Sequence, residues 1–322
     1  MAVFDLPLPE LSRYKGRNPR PSDFDRYWDE ALQELGETAA KPQLLPSTEC
    51  KTRDAECFDL SFQGVGGARQ YAKYLRPKGA KNCPVILLFH GYSGNSGDWF
   101  DKLSWVQEGF CVAALDCRGQ GGKSEDNHPV NGTTLRGHII RGLSGDDPRQ
   151  LAYRRMFLDT VQLARVVMGF PEVDANRLGC YGESQGGALA LACAALEPGI
   201  RRAVSVFPFL CDYQRVWEMD LAKDAYEELR YYFRSFDPRH LRINETFIRL
   251  GYIDCQHLAP RIRAKVLMFT GLMDTVCPPS SQFAAYNKIT AEKEMKIYPD
   301  FGHERLPGVA DQTLEFMHAL RS

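Results

Sequence analysis

Short, mainly apolar runs recur along the chain at residues 85–89, 111–115, 178–181, 203–207, 266–270 and 295–298, each with Gly, Pro or Asp close by. They do not alternate between apolar and polar positions. That pattern predicts strands buried on both faces, as in a parallel sheet sandwiched between helices, and the runs are too short for most helices. Between them the spacing turns helical. Tyr153, Met156, Phe157, Thr160, Val161, Ala164, Val167 and Met168 share one face, and Gly169 and Pro171 supply a stop. Residues 188–196 form a small-residue apolar helix ended by Pro198 and Gly199, and residues 311–320 a last helix. Ser22 with Asp25 reads as the cap of an N-terminal helix through about Leu35. Strands alternating with helices predict an α/β fold with a doubly wound, mostly parallel sheet.

One sheet of this kind accounts for the whole chain, so residues 1–322 are expected to form a single domain with a helical extension over about 1–40. Two segments are too long to be plain connections. Residues 119–151 are polar, rich in Gly, Asn and Asp, and without a period; they are expected to project and pair with a neighbouring subunit. Residues 208–264 carry helix-like patterns at 213–232 and 244–252 and are expected to form a cap-like insertion over the active site.

Composition narrows the function. Hydrophobic residues make up 44% and charged residues 25%, a globular balance. Forty basic against forty-one acidic side chains provide no cationic excess for displacing counterions, so no nucleic-acid partner is expected. No apolar run approaches the roughly 20 residues that span a bilayer, so no membrane association is expected. The start, Met1 to Glu10, lacks the basic residues and apolar stretch of a signal peptide, and the glycosylation-like triplets at Asn131 and Asn244 are read as chance. Ten cysteines contain no Cys-x-x-Cys pair, and several, such as Cys111 and Cys180, sit in apolar runs. They are expected to be reduced, in a cytoplasmic protein. With neither Cys-x-x-Cys nor His-Glu-x-x-His, no metal and no cofactor is expected.

The chemistry concentrates at Gly182-Glu183-Ser184-Gln185-Gly186, the sole G-x-S-x-G of the chain. An apolar strand runs into it and a small-residue helix runs out, the context of a nucleophile elbow. A serine hydroxyl needs a base. In such a fold the order is Ser, then acid, then His, each after a strand. His303 follows the last apolar run and is the expected base; His240 and His257 fall in the irregular insertion, and His318 in the final helix. Asp274 follows the preceding run and is the expected acid, with Asp300 on the histidine loop as its rival. The oxyanion hole needs two backbone N–H groups. Gln185, after the nucleophile, supplies one, and the loop His90-Gly91-Tyr92-Ser93-Gly94 the other, through Tyr92. His90 and the pair Arg118 and Gln120 are expected to be scaffolding.

Together, His90-Gly-Tyr-Ser-Gly94, Arg118-Gly-Gln-Gly-Gly122, Gly182-Glu-Ser-Gln-Gly-Gly187, Gly271-Leu-Met-Asp-Thr-Val-Cys-Pro-Pro279 and Gly302-His-Glu304 resemble the cephalosporin C deacetylase / acetyl xylan esterase family. The likeness runs from Asp23, Phe24 and Trp28, through Pro208 to Asp212, to the histidine loop. It implies an α/β-hydrolase fold and an intracellular serine esterase that deacetylates small acetylated sugars and cephalosporin C. It also implies Ser184, Asp274 and His303 as the triad, Tyr92 and Gln185 as oxyanion donors, and a ring-like homohexamer with residues 119–151 at the interface. Alternatives are a short-chain carboxylesterase, a serine peptidase of the oligopeptidase type, or a scaffold that binds without turnover. The chain lacks the propeller-sized region that gates such peptidases.

Overall fold

A nine-stranded sheet organises the computed structural model, which describes residues 4–129 and 137–321. Its strands are β1 (Gln43–Pro46), β2 (Ala55–Gln63), β3 (Arg69–Pro77), β4 (Cys83–Phe89), β5 (Cys111–Asp116), β6 (Val173–Glu183), β7 (Ile200–Val206), β8 (Lys265–Gly271) and β9 (Lys293–Tyr298). They lie in the order β1-β2-β3-β5-β4-β6-β7-β8-β9. The six apolar runs fall in β4 to β9, save that Phe207 lies one residue past β7, and these six strands are mutually parallel. β1, β2 and β3 pair antiparallel at one end of the sheet. The helices are α1 (Leu8–Leu11), α2 (Phe24–Glu37), α3 (Leu103–Gln107), α4 (Ala152–Met168), α5 (Gln185–Leu196), α6 (Tyr213–Glu218), α7 (Glu227–Phe236), α8 (Ile243–Leu250), α9 (Cys255–Leu258), α10 (Pro279–Lys288) and α11 (Val309–His318).

Helices cover both faces of the sheet. On one, α2, α4 and α5 bury their apolar side chains in a core continuous with the sheet. On the other, α11 packs on Ile86, Val204, Leu267 and Phe269, and α3 on Leu75 and Val112. This doubly wound arrangement is the α/β-hydrolase fold. All twelve residues of α5 are buried, which explains its unbroken small and apolar composition. It begins three residues earlier than its apolar pattern suggests, because Gln185, Gly186 and Gly187 are also buried. Among the described residues no helix is long and apolar enough to cross a membrane.

Two local expectations are corrected. The N-cap of α2 is Asp23, not Ser22, and no side chain caps it. The Asp23 carboxylate is occupied instead by the Tyr252 hydroxyl and Arg26. What fixes α2 is burial of Phe24, Tyr27, Trp28, Ala31 and Leu35, with the Trp28 Nε1 donating to the Tyr252 carbonyl at 3.0 Å. The pattern over 213–232 is not one helix. It breaks between α6 and α7, where Asp220 and Asp224 take φ of 57° and 50°, a left-handed conformation no helix tolerates in its interior.

The described parts of residues 119–151 lie down on the molecule. Ile139, Leu143 and Leu151 are fully buried, Arg141 pairs with Asp126, and His128 Nε2 donates to the Gln150 carbonyl at 2.8 Å. Residues 130–136, with the triplet at Asn131, fall outside the described residues. Arg118 and Asp159, both buried, join in a two-pronged pair at 2.6 Å per contact, tying the end of β5 to α4 beneath the site.

Candidate active site

β6 feeds directly into Ser184, which takes φ 55° and ψ −118° before α5 begins at Gln185. A non-glycine residue at positive φ is strained. Here the conformation is held by the Ser184 N–H donating to the Val206 carbonyl and the Ser184 carbonyl accepting from Phe209. The motif glycines make the turn possible. A Cβ on Gly182 would sit 2.3 Å from the Gly186 backbone, and one on Gly186 2.1 Å from the Phe89 carbonyl. Strand, turn and helix touch only because both side chains are missing.

Three side chains meet at the carboxyl ends of β6, β8 and β9. His303 Nε2 lies 3.0 Å from Ser184 Oγ, and His303 Nδ1 lies 2.9 Å from Asp274 Oδ2. Asp274 is fully buried. Its Oδ1 accepts from the N–H groups of Val276 and Cys277, and Gln282 donates to Oδ2 at 3.3 Å. Its two oxygens are thereby committed, one to the loop and one to the imidazole. Asp300, the rival acid, has no bond to His303. The His303 ring packs on Phe207, with centroids 4.5 Å apart. The other histidines are engaged elsewhere: His240 packs on Phe233 and Trp217, His257 bonds the Asn18 carbonyl, and His318 bonds Glu108.

The loop after β4 approaches the serine from the other side. Gln185 N–H is the first of α5 and has no carbonyl inside the helix to bond. Tyr92 N–H has no acceptor among the described residues. Side chains hold both segments. Gln120 Oε1 accepts from Ser93 N–H at 2.9 Å, and Gln120 Nε2 donates to Gln185 Oε1 at 2.8 Å. The Tyr153 hydroxyl donates to the same Gln185 oxygen. His90 Nε2 accepts from Cys117 N–H, so its Nδ1 carries the proton donated to the Gly91 carbonyl. Burial lowers the His90 pKa, which keeps it neutral and structural. Arg118 and Gln120 thus sit where scaffolding is needed.

Sequence reasoning missed Tyr153, Phe207, Cys277 and Glu228. Tyr153 lay in the helical stripe as one more core residue. Glu228 carried no signal at all, since a charged residue near a helix start reads as solvent-facing. Ligand atoms of Asp274, Cys277 and His303 lie within 4.8 Å of one another, but the set suits a metal poorly. Burial pushes the Cys277 thiol well up, which keeps it protonated, and an ion would have to part Asp274 from His303. A cavity of about 680 Å³ opens beside the site on the His303 side, bounded by Glu183, Phe207, Arg305, Leu306, Asp101 and Asp311.

The chain matches the family described as acetyl xylan esterase over residues 1–320. Acetyl xylan esterase 1 from Thermoanaerobacterium sp. JW/SL YS485 is 56% identical, with a TM-score of 0.97 over 99% of this chain and 100% of that one. An acetyl xylan esterase from Paenibacillus sp. R4 is 35% identical, with a TM-score of 0.93 over 98% and 99%. Acetyl esterase Axe7A of Xylanibacter ruminicola is 26% identical over 90% of this chain, which spans 65% of that longer protein.

Proposed function

Because the chain belongs to the acetyl xylan esterase family and is a carboxylic ester hydrolase, we propose that it removes acetyl groups from acetylated xylo-oligosaccharides, other small acetylated sugars and cephalosporin C. The observation that carries this reading is the continuous hydrogen-bond chain from Ser184 Oγ through His303 to Asp274, with the N–H groups of Tyr92 and Gln185 left without an acceptor among the described residues.

In this reading Ser184 Oγ attacks the acetyl carbonyl while His303 Nε2 takes its proton. Asp274 holds the imidazole with Nε2 facing the serine and stabilises the cation that forms. The oxyanion rests on the N–H groups of Tyr92 and Gln185 at the amino end of α5, where the helix dipole adds to the field. The carbonyl–oxygen bond to the alcohol breaks, and His303 returns the proton to the leaving oxygen. Water, deprotonated by His303, then attacks the acetyl-serine; the bond from the carbonyl carbon to Oγ breaks, acetate leaves, and His303 returns the proton to Ser184 Oγ. In this reading the cavity bounded by Phe207, which packs on the His303 ring, takes the alcohol part of the ester.

Acetyl esters are expected to be cleaved with higher kcat/KM than butyryl esters of the same alcohol. The competing reading as a short-chain carboxylesterase predicts the opposite order, and one as a peptidase predicts turnover of an aminoacyl anilide. Measuring released acetate from an acetylated xylo-oligosaccharide and from cephalosporin C tests the sugar and antibiotic substrates separately.

The family resemblance further supports a hexamer, with residues 119–151 contributing to its contacts, and light scattering at micromolar concentration that reports a monomer would remove this assembly. The ten cysteines form no disulfide, which suits a reducing, cytoplasmic compartment.

A further inference from the structure

Glu228, in the first turn of α7, is a carboxylate enclosed by protein, with only 4% of its surface exposed. Among the described residues no cation pairs with it. Its Oε1 accepts from the Tyr92 hydroxyl at 2.9 Å, and its Oε2 from Ile140 N–H at 3.0 Å. The N–H groups of Ile139 and His138 also turn toward it. Gly137, at φ 60°, closes this cradle, since a Cβ there would lie 2.1 Å from the Glu228 carboxyl carbon. Successive backbone N–H groups wrapped around one anion form a nest. Burial pushes the Glu228 pKa up to about 7, against the pull of these N–H groups and of Tyr92.

Burying a lone carboxylate is costly, and an apolar side chain of similar shape would serve stability as well. What the carboxylate adds is direction. It accepts on both oxygens, one serving the phenol and one the nest, and so joins three elements: α7 of the cap-like insertion, the 137–140 strip, and the loop that carries Tyr92. That loop is tied elsewhere by His90 to the Gly91 carbonyl and by Gln120 to Ser93 N–H. Glu228 grips the side chain of Tyr92 itself, with the His138 backbone beside the same hydroxyl, and the Tyr92 ring packs edge-on against Phe209 and His138. The side chain of the second oxyanion candidate, Gln185, is held by Tyr153 and Gln120 and makes no contact with Glu228 among the hydrogen bonds of the described residues.

We propose that Glu228 is a positioning residue for the oxyanion hole: by holding the Tyr92 phenol it aims the Tyr92 backbone N–H at the developing oxyanion, and it makes that aim depend on the seating of the insertion. The inference rests on the esterase reading above. Glu228 touches no reacting atom. Its effect appears in the transition state, where the N–H bond strengthens, rather than in ground-state binding.

The test is a double-mutant cycle of Glu228→Gln and Tyr92→Phe on p-nitrophenyl acetate, with turnover counted per active site titrated by an organophosphonate. Tyr92→Phe keeps the ring and the backbone N–H and removes only the grip, so the test stands even if Glu228→Gln folds poorly. Each single variant is expected to lower kcat between about tenfold and a hundredfold, with KM changed less than about twofold. Affinity for a boronic acid, which mimics the tetrahedral intermediate, falls by the same factor. The double variant is no worse than the weaker single. Multiplying effects, or kcat losses with unchanged boronic acid affinity, would overturn the proposal, as would singles indistinguishable from wild type. An active Ser184→Ala enzyme would instead sink the esterase reading on which the proposal rests.

Discussion

Replacing Ser184 by Ala is expected to lower kcat on p-nitrophenyl acetate by about ten-thousandfold to a millionfold, the range seen when a triad nucleophile is deleted. The hydroxyl lies 3.0 Å from His303 Nε2 and is presented by a backbone at φ 55° that the surrounding strands enforce. Nothing nearby replaces it. The Cys277 thiol lies beside Ser184, but burial holds it in the protonated, weakly nucleophilic form. The variant should keep its fold, because Ala removes one oxygen from a half-buried position and leaves the elbow hydrogen bonds, all from the backbone, in place. Circular dichroism and the unfolding midpoint should match wild type while released acetate falls to background. Retention of activity within about tenfold of wild type would place the nucleophile elsewhere.

Asp274→Asn should cost nearly as much, about ten-thousandfold in kcat, with little change in KM. The carboxylate accepts the His303 Nδ1–H on one oxygen and two loop N–H groups on the other. An amide in the same place presents an N–H toward Nδ1. The imidazole then turns to the tautomer whose Nε2 carries the proton and cannot take one from Ser184. The loop bonds to Oδ1 can persist, so the loss is chemical rather than structural. A steady-state comparison of the two enzymes at matched concentration checks it. A loss below about a hundredfold would mean that another acid orients His303, and Asp300 would be the first to examine.

The sheet was legible where burial is two-sided. β4, β5, β7 and β8 are buried along most of their length, so each leaves a mainly apolar run in the sequence, whereas the run in β9 is interrupted by Lys296 and none of its residues is fully buried. β1, β2 and β3 escaped because burial there is partial. In β2 only Ala55, Cys57, Leu60 and Phe62 are buried, and Glu56, Asp59 and Ser61 break the run with half-exposed positions. The cap at Ser22 misled because local side-chain chemistry lost to tertiary contacts: Tyr252 and Arg26 claim the Asp23 carboxylate. The break between α6 and α7 rests on two aspartates in left-handed conformations, which an apolar period does not register.

The proposed reacting groups were more legible than their supports. Ser184 is marked by its motif and His303 by its place after the last strand. The sequence favours Asp274 over its rival Asp300 by its place after the preceding strand, and it is Asp274 that bonds His303. Gln120, half-buried, and Tyr153 and Glu228, fully enclosed, are polar side chains brought into place by long-range packing, joining residues up to 136 positions apart. Such partners have no local pattern, and only the assembled fold brings them together.

The most direct test of the account is to catch the acetyl group on the enzyme. Protein mixed with p-nitrophenyl acetate and quenched in acid within the first turnovers is digested and mapped by mass spectrometry. The account predicts a peptide heavier by one acetyl group, with the modification on Ser184, together with a p-nitrophenolate burst that matches the number of active sites. Acetate release with no acetylated Ser184, or an acetyl group on another side chain at burst stoichiometry, would contradict it.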